Sequence, residues 1–282
     1  MKRAHISASA AAALLTVTAC GSDTEPSDGA GASDSEAVPS VFATTTIWAD
    51  VTRGVACDGL AEVGTVIPPG GDPHSFEPSL RDREALGDAA LVVANGLGLE
   101  ESLEDTIDAV EADGVTVVRV GASVDPLPAA DEDHDEDHDE DHDEDHDEDH
   151  DDHGPDDPHI WFDPMRVAAT LPAIADGLNA AGVDRSALDA CVAEYTERLE
   201  RLDAELRDTV ATLPSERRLL STNHDSLSYF ADRYDFEVLG SVIQSPSSLA
   251  ATNPGDLEEH ATLIAEPGVP ASVAETPPSS DD

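Results

Sequence analysis

Runs of β-branched and aliphatic residues alternate along the chain with stretches in which apolar and polar positions recur at helical spacing. In the first half, the apolar runs predict four strands, at Val41–Thr46, Val63–Ile67, Ala90–Ala94 and Val115–Val120. Gly64 interrupts the second of these runs. The amphipathic stretches between the strands predict three helices, at Ile47–Cys57, Leu80–Asp88 and Leu99–Ala112. Alternating strands and helices are typical of an α/β fold with a mostly parallel sheet.

A long helical pattern follows the first set of strands. A helix is predicted at Met165–Ala180, with Pro172 inside it, and apolar residues then recur at spacings of three, four or seven from Leu188 to Leu213. This stripe predicts one helix over residues 185–213. Such a helix spans about 43 Å, longer than a small lobe is wide, which favours a rigid connector between two lobes. A coiled-coil seam is the alternative, disfavoured by the many charges beside the stripe.

The last part of the chain predicts a second, smaller α/β lobe. Its strands are predicted at Arg218–Thr222, Phe236–Leu239 and Val269–Ala274, and its helices at Ser226–Tyr234 and Pro254–Ile264. We therefore expect a first lobe over residues 40–184, a connecting helix over 185–213 and a second lobe over 214–282. Because the sequence reaches Asp282 soon after the third strand, we expect this second lobe to be incomplete.

An acidic tract interrupts the first lobe. The repeat Asp-Glu-Asp-His runs five times from Asp131 to His150, and with Asp151, Asp152 and His153 it places 17 carboxylates and six imidazoles in 23 residues. Such a segment cannot build an apolar core, which predicts a disordered loop over residues 129–157. Imidazole favours zinc, copper, nickel and iron over calcium and magnesium. The tract therefore predicts weak auxiliary metal capture by six histidines: His134, His138, His142, His146, His150 and His153. An acidic spacer without a metal role is the alternative.

The overall charge limits the partners of the chain. The formal net charge is −48 for 282 residues, of which 39% are hydrophobic, and about −31 remains when the 17 acidic residues of the tract are set aside. Nucleic acid is excluded as a partner because phosphate binding needs lysine and arginine, and the chain has 14 of them against 62 acidic residues. The acidic surface attracts cations instead.

The N-terminus has the pattern of an export signal. Lys2 and Arg3 precede a short apolar segment, and Val17-Thr18-Ala19-Cys20 resembles a bacterial lipobox. This predicts a signal peptide over residues 1–19, lipidation of Cys20 and a flexible tether over residues 20–39. The folded part would then lie outside the cytoplasm, anchored to the bacterial cell membrane. An ordinary secretory signal is the alternative.

Two cysteines remain beyond the signal, Cys57 and Cys191. Disulfides persist in an oxidising extracytoplasmic compartment. Sequence separation does not determine whether two Cα atoms approach closely enough for a bridge. A disulfide and two buried thiols therefore both remain open at this point.

Three histidines outside the tract have contexts that favour metal binding: His74, His159 and His224. Each follows a predicted strand or loop, next to Pro or Asn and near a carboxylate, and loops of parallel α/β sheets converge outside the carboxyl ends of the strands. Three neutral imidazoles occupy three corners of a tetrahedral zinc site. The nearby acids could accept the other ring N–H and fix its orientation, and the candidates are Asp72, Asp163 and Asp225. His5 and His260 lack such a context.

The segments around these histidines resemble a known family. Gly-Gly-Asp-Pro-His-Ser-Phe-Glu-Pro-Ser at residues 70–79, Asp-Pro-His-Ile-Trp-Phe-Asp-Pro at 157–164 and Thr-Asn-His-Asp-Ser-Leu-Ser-Tyr-Phe-Ala-Asp-Arg-Tyr at 222–234 are similar to the metal-binding segments of zinc-uptake solute-binding proteins. That family belongs to the metal-specific cluster of ABC-transporter receptors. The similarity extends from about Val38 to the end, including residues 91–100.

The resemblance implies two α/β lobes joined by a long helix, with the metal held between them. It implies His74 and His159 as ligands from the first lobe and His224 as the ligand from the second. A histidine at the third position resembles the zinc members of the cluster. The family also takes a carboxylate from a segment beyond the last strand, to which no residue here matches; Asp281, Asp282, a water or a tract residue are the candidates.

We therefore expect an extracytoplasmic, monomeric zinc receptor that delivers its ion to an ABC permease and has no catalytic cofactor. The alternatives are a receptor for another transition metal such as manganese, a zinc-dependent hydrolase, and a surface protein for metal buffering or adhesion. An enzyme is disfavoured because the chain has neither a nucleophile elbow nor a His-Glu-x-x-His helix.

Overall fold

The computed structural model describes residues 38–129, 156–243, 245, 247–249, 255, 258, 261–262 and 272–273. The first lobe contains a parallel sheet of order β2-β1-β3-β4. Its strands are β1 Ser40–Ala43, β2 Glu62–Thr65, β3 Leu91–Ala94 and β4 Val117–Arg119. All four lie within or beside the predicted runs, and β2 keeps its glycine because a Cβ at Gly64 would lie 2.8 Å from the ring of Phe42.

Four helices cover this sheet: α1 Thr46–Val55, α2 Leu80–Gly87, α3 Glu104–Ala112 and α4 Pro164–Ala180. Three of them, α1, α2 and α4, begin at capping side chains, since Thr45, Ser79 and Asp163 each accept a hydrogen bond from a backbone N–H of the first turn. The predicted helix at Leu99–Ala112 is wrong over its first five residues. Residues 96–98 have positive φ, and the chain turns there before α3 begins. Pro172 lies inside α4.

The long helix α5 spans Arg185–Val210, 26 residues, and ends three residues before its predicted end. Its N-terminal half packs on α1 and α4 with Leu188, Tyr195 and Leu199 buried. Leu202, further along the predicted stripe, is 43% exposed. The apolar stripe therefore anchors one half of the helix to the first lobe, and the other half extends toward α6.

A disulfide joins Cys57, just after α1, to Cys191 in α5, with a Cα–Cα distance of 5.6 Å. Of the two possibilities left open by the sequence, the structure contains the bridge. Cys57 is exposed, whereas Cys191 is buried. The long helix is thereby attached covalently to the first lobe.

The second lobe contains a parallel sheet of order β6-β5-β7. Its elements are β5 Leu219–His224, α6 Ser228–Tyr234, β6 Glu237–Ile243 and β7 Ser272–Val273. Of the predicted helix Pro254–Ile264, residues 255, 258, 261 and 262 are described, all helical, and the others lie outside the described residues. Two α/β lobes with parallel sheets and a long helix between them confirm the predicted fold class.

Arg233 of α6 connects the second lobe to the rest of the molecule. Its Nε lies 3.1 Å from Asp163 Oδ1 at the start of α4 and 2.8 Å from Asp203 Oδ1 in α5. Hydrogen bonding from Arg233 is the main cause that lowers the pKa of Asp203 to about 2. The three side chains therefore form an ionic contact at which both lobes and the long helix meet.

The disordered loop predicted over 129–157 is too wide at its ends. Ala129 is buried, Asp156 forms a bridge with Pro128, and Asp157 is 1% exposed. The bridge and the burial of Ala129 and Asp157 place these residues in the first lobe, contrary to the prediction for them. The rest of the tract with its six histidines, the signal, Cys20 and the tether up to residue 37 lie outside the described residues. No helix in the described ranges has the length and apolar character needed to cross a membrane.

Candidate metal centre

The three histidines selected from the sequence lie together between the two lobes. One candidate ligand atom from each of His74, His159 and His224 falls within 4.8 Å of the other two. The three side chains are between 1% and 3% exposed. His159 Nε2 and His224 Nε2 are 3.2 Å apart. Residues separated by up to 150 positions in sequence thus converge in one buried cluster.

The topology explains this convergence. His74 lies in the loop after β2, His159 immediately precedes a 3-10 turn at Ile160–Phe162, and His224 is the last residue of β5. The loop after β2 and the end of β5 are at carboxyl ends of parallel strands, where connecting loops have room to form a site. The two lobes face each other there with imidazoles on both sides.

The tripeptide Asp-Pro-His occurs twice and has the same local structure each time. Asp72 Oδ1 accepts a hydrogen bond from the backbone N–H of His74 at 3.0 Å, and Asp157 Oδ1 accepts one from the N–H of His159 at 2.9 Å. Aspartate commonly binds the backbone two residues on in this way, and the intervening proline has no N–H to compete. The motif therefore fixes the backbone at two of the three histidines.

Asp157 also fixes the ring of His159. Its Oδ1 lies 2.8 Å from His159 Nδ1, and both side chains are 1% exposed. A carboxylate accepts but does not donate, so Nδ1 carries a proton toward Asp157, and Nε2 faces the cluster, 3.2 Å from His224 Nε2. In a neutral ring with this tautomer, Nε2 carries the lone pair that binds a transition-metal ion.

The sequence proposed other acids for this role. Asp72 binds the backbone of His74 and, through Oδ2, the hydroxyl of Ser248 at 2.5 Å. Asp163 caps α4 and pairs with Arg166 and Arg233. Asp225 Oδ1 accepts a hydrogen bond from the hydroxyl of Ser228 at 3.3 Å. The repeated Asp-Pro-His motif was the signal that could have identified Asp157.

His74 has a different environment. Among the residues that the structure describes, neither of its ring nitrogens has a hydrogen-bond partner, although Nδ1 lies 3.9 Å from Glu101 Oε1. Burial, followed by the neighbouring imidazole of His159, lowers the pKa of His74 to about 4. The ring is therefore neutral at neutral pH, and a buried nitrogen of His74 is available to bind a metal ion.

A buried polar network, which the sequence did not indicate, holds the His159 segment against the first lobe. Asn95 donates from Nδ2 to the carbonyl of Pro158 at 2.9 Å, and its Oδ1 accepts from Trp48 Nε1 at 2.8 Å. Glu100 accepts from the N–H of Asn95 at 2.7 Å and from the Thr44 hydroxyl at 2.6 Å. Burial raises the pKa of Glu100, which is fully enclosed. This network ties the residue before His159 to the first sheet.

A cavity of about 530 Å³ opens beside the three histidines. Both lobes line it, with Ile67, Pro68 and Trp161 from the first and Asn223 and Ser248 from the second. The lining combines apolar side chains with polar ones, and an ion entering this space meets the imidazoles. Apolar surroundings strengthen the electrostatic attraction between an ion and its ligands.

The spacing of the cluster is compatible with a zinc ion. Two nitrogens at neighbouring corners of a tetrahedral ion, each 2.0–2.1 Å from it, lie about 3.3–3.4 Å apart. The 3.2 Å between His159 Nε2 and His224 Nε2 is already close to this value. The remaining pairs lie within 4.8 Å, so binding needs a contraction of at most about 1.5 Å between two nitrogens.

Asp157→Asn is expected to weaken zinc binding about 10- to 100-fold. The amide keeps the size of the side chain but removes the charge that supports the ring of His159. The dissociation constant measured by competition with a chelator tests this. Asp113→Asn, an exposed residue after α3, is the control and should bind zinc as the wild type does. Equal affinities in both variants would show that Asp157 has no part in the site.

Two parallel α/β lobes, joined by a long helix around a cleft, define a solute-binding receptor. The model of the family "Zinc-uptake complex component A periplasmic" matches residues 41–281, and the chain belongs to this family. It is therefore the metal-binding receptor of an ABC-type uptake system and not an enzyme. The hydrolase alternative is excluded by this membership.

Relatives in this family are named for different metals. The zinc-binding protein TroA of Treponema pallidum is 29% identical over 240 residues, covering 84% of this chain and 70% of that protein. The manganese-binding lipoprotein MntA of Halalkalibacterium halodurans is 29% identical over 231 residues, covering 82% and 68%. The solved structure of TroA from Treponema pallidum matches with a TM-score of 0.71 at 27% identity, covering 85% of this chain and 79% of that one.

Proposed function

We propose that this receptor binds zinc through His74, His159 and His224 and delivers it to an ABC permease. The observation that supports the proposal is the buried cluster of three imidazoles within 4.8 Å. Two features prepare these rings for a cation: the carboxylate of Asp157 beside His159, and the neutral ring of His74, which has no hydrogen-bond partner in the described part of the chain.

The donor set favours zinc over manganese. Three nitrogen ligands suit zinc, copper or nickel, whereas manganese is usually bound by carboxylate, carbonyl and water oxygens in octahedral geometry. Within the described residues, the ligand cluster consists of imidazoles alone. A tetrahedral ion needs one further ligand, and we propose a water molecule or a carboxylate for it. The candidates Asp281 and Asp282 lie outside the described residues.

We further propose that the acidic tract captures zinc weakly and raises its concentration near the cleft. The residues that flank it, Pro128 and Asp156, form a bridge, and Asp156 immediately precedes the ligand segment that begins at Asp157, so the tract is attached next to the site. Lipidation of Cys20 would hold the receptor at the outer face of the membrane. The lipobox-like sequence supports this part of the proposal, as does the lipoprotein name of the MntA relative. We also propose that the receptor acts as a monomer.

Zinc is expected to bind at least about 100-fold more tightly than manganese to a chain that lacks residues 131–153. Deleting the tract removes its weak sites, so that calorimetric or chelator-competition titration reports the histidine cluster alone. One zinc ion per chain is expected. The full-length chain is the control and should show the same tight site together with weaker ones.

Two results would contradict these proposals. Manganese binding as tight as zinc would make the chain a receptor for another metal. If the chain without residues 131–153 bound no metal, the tract would be the metal-binding part. That result would favour a role in metal buffering or adhesion at the cell surface.

A further inference from the structure

Tyr229 occupies an unusual place for a residue of the second lobe. It lies in α6, five residues after His224, and is completely buried. Its ring belongs to the hydrophobic cluster of the first lobe. The other buried residues of this cluster in the described part of the chain all precede α6. The guanidinium of Arg166, in α4, lies 4.6 Å from the centre of the ring. The second lobe therefore inserts one aromatic side chain into the first.

The hydroxyl of Tyr229 joins the two ends of the acidic insertion. It donates to the carbonyl of Asp157 at 2.6 Å and accepts from the backbone N–H of Leu127 at 3.1 Å. The same two residues bind each other, since the N–H of Asp157 donates to the carbonyl of Leu127 at 2.8 Å. Tyr229 thus completes a closed set of hydrogen bonds at the base of the insertion.

These contacts continue directly to a ligand of the proposed metal site. Asp157, whose carbonyl binds Tyr229, holds both the backbone N–H and the ring Nδ1 of His159. On the other side, the short segment from His224 to Tyr229 links the same hydroxyl to the ligand of the second lobe. The path from His224 to His159 through Tyr229 includes two hydrogen bonds, both buried.

We propose that Tyr229 is a positioning residue for metal binding. Its hydroxyl sets the distance between the His159 segment of the first lobe and the His224 segment of the second. This inference rests on the proposed zinc site. The hydroxyl does not touch the ion; it acts through Asp157, and the two lobes keep their ligands 3.2 Å apart because this contact spans the cleft beside them.

The test compares Tyr229→Phe with Tyr234→Phe in the full chain. Phenylalanine keeps the buried ring and its stacking with Arg166 and removes only the hydroxyl. Tyr234 is a matched control because it lies in the same helix, is also buried, and donates its hydroxyl to Asp203, on α5, and not to the His159 segment. Zinc dissociation is followed by stopped flow with a chelator, and association by rapid mixing with zinc.

Tyr229→Phe is expected to raise the zinc dissociation rate about tenfold, with the association rate within about twofold of wild type. Tyr234→Phe should leave both rates unchanged. In the Asp157→Asn background, the effect of Tyr229→Phe should largely disappear, because the hydroxyl acts through the Asp157–His159 contact. A purely structural role would lower the thermal midpoint in both tyrosine variants without separating the two rates.

Three results would overturn the positioning role: an unchanged dissociation rate in Tyr229→Phe, the same rise in Tyr234→Phe, or full additivity with Asp157→Asn. If tight zinc binding is lost in His159→Ala while Tyr229→Phe behaves as wild type, the zinc site stands and the role of Tyr229 falls. Tight binding that survives His159→Ala overturns both.

Hydrogen exchange in the wild-type chain gives a second test if Tyr229→Phe does not fold. The Leu127 amide, which donates to Tyr229, should exchange at least about tenfold more slowly when zinc is bound. The Leu103 amide, which donates to the Glu100 carbonyl within the first lobe, is the control and should not change. Equal exchange at Leu127 with and without zinc would overturn the proposal.

Discussion

Replacing His159 with alanine is expected to weaken zinc binding about 100- to 1000-fold. Zinc held by four protein ligands contributes roughly 10–16 kcal/mol, so one ligand corresponds to about 2.5–4 kcal/mol, and each 1.4 kcal/mol is a factor of ten. His159 is the ligand with the largest expected effect, because its removal also leaves the buried carboxylate of Asp157 without its ring partner. Chelator competition measures the dissociation constant.

His260→Ala is the control for this experiment. It also removes an imidazole, but from a sequence context that gives no sign of a ligand, and it should leave the affinity unchanged. The thermal midpoint of each metal-free variant should be measured alongside, so that lost affinity is separated from unfolding. Wild-type affinity in His159→Ala would refute the assignment of the cluster as the zinc site.

Reduction of the Cys57–Cys191 disulfide is expected to lower the free energy of unfolding by about 3–5 kcal/mol. The bridge closes a loop of 134 residues, and long loops lose the most entropy in the unfolded chain when they are cross-linked. For a domain of this size the corresponding fall in the thermal midpoint is roughly 6–20 °C. Exposed Cys57 gives a reductant access to the bridge.

The control is the double variant Cys57→Ala, Cys191→Ala, which retains Cys20. Its thermal midpoint should equal that of the reduced wild type and should not respond to reductant. Thiol titration establishes that the wild-type bridge has been opened. A wild-type midpoint that stays the same after complete reduction would show that the noncovalent packing of α5 on α1 and α4 is sufficient.

Much of the secondary structure follows from local patterns. The alternation of apolar runs and amphipathic stretches placed β1, β3 and α1 within a few residues, because strand and helix periods are properties of short segments. The predicted helix boundaries are wrong where a backbone conformation or a tertiary contact overrides the local pattern. Positive φ at residues 96–98 delays α3, and α5 ends before Leu213 although the apolar pattern continues.

The site was only partly predictable. Its three histidines were identified from their sequence contexts and from the family resemblance, and the structure places them together. Of the acids proposed as their partners, Asp72 and Asp163 make other contacts, and Asp157, which faces the ring of His159, was not among the candidates. Several carboxylates lie close to each histidine in sequence, and only the fold decides which one faces the ring.

The sequence by itself determined the α/β class, the order of the elements and the residue types able to bind a transition metal. These depend on hydrophobic periodicity and on the chemistry of imidazole, both of which are local. The tertiary structure alone decided that Cys57 meets Cys191, that Asp157 orients His159, and that Tyr229 crosses from one lobe to the other. These contacts join residues 134, 2 and 72 positions apart, and which side chains meet depends on how the elements pack: α5 on α1, the Asp157 carboxylate on the ring of His159, and α6 on the first lobe.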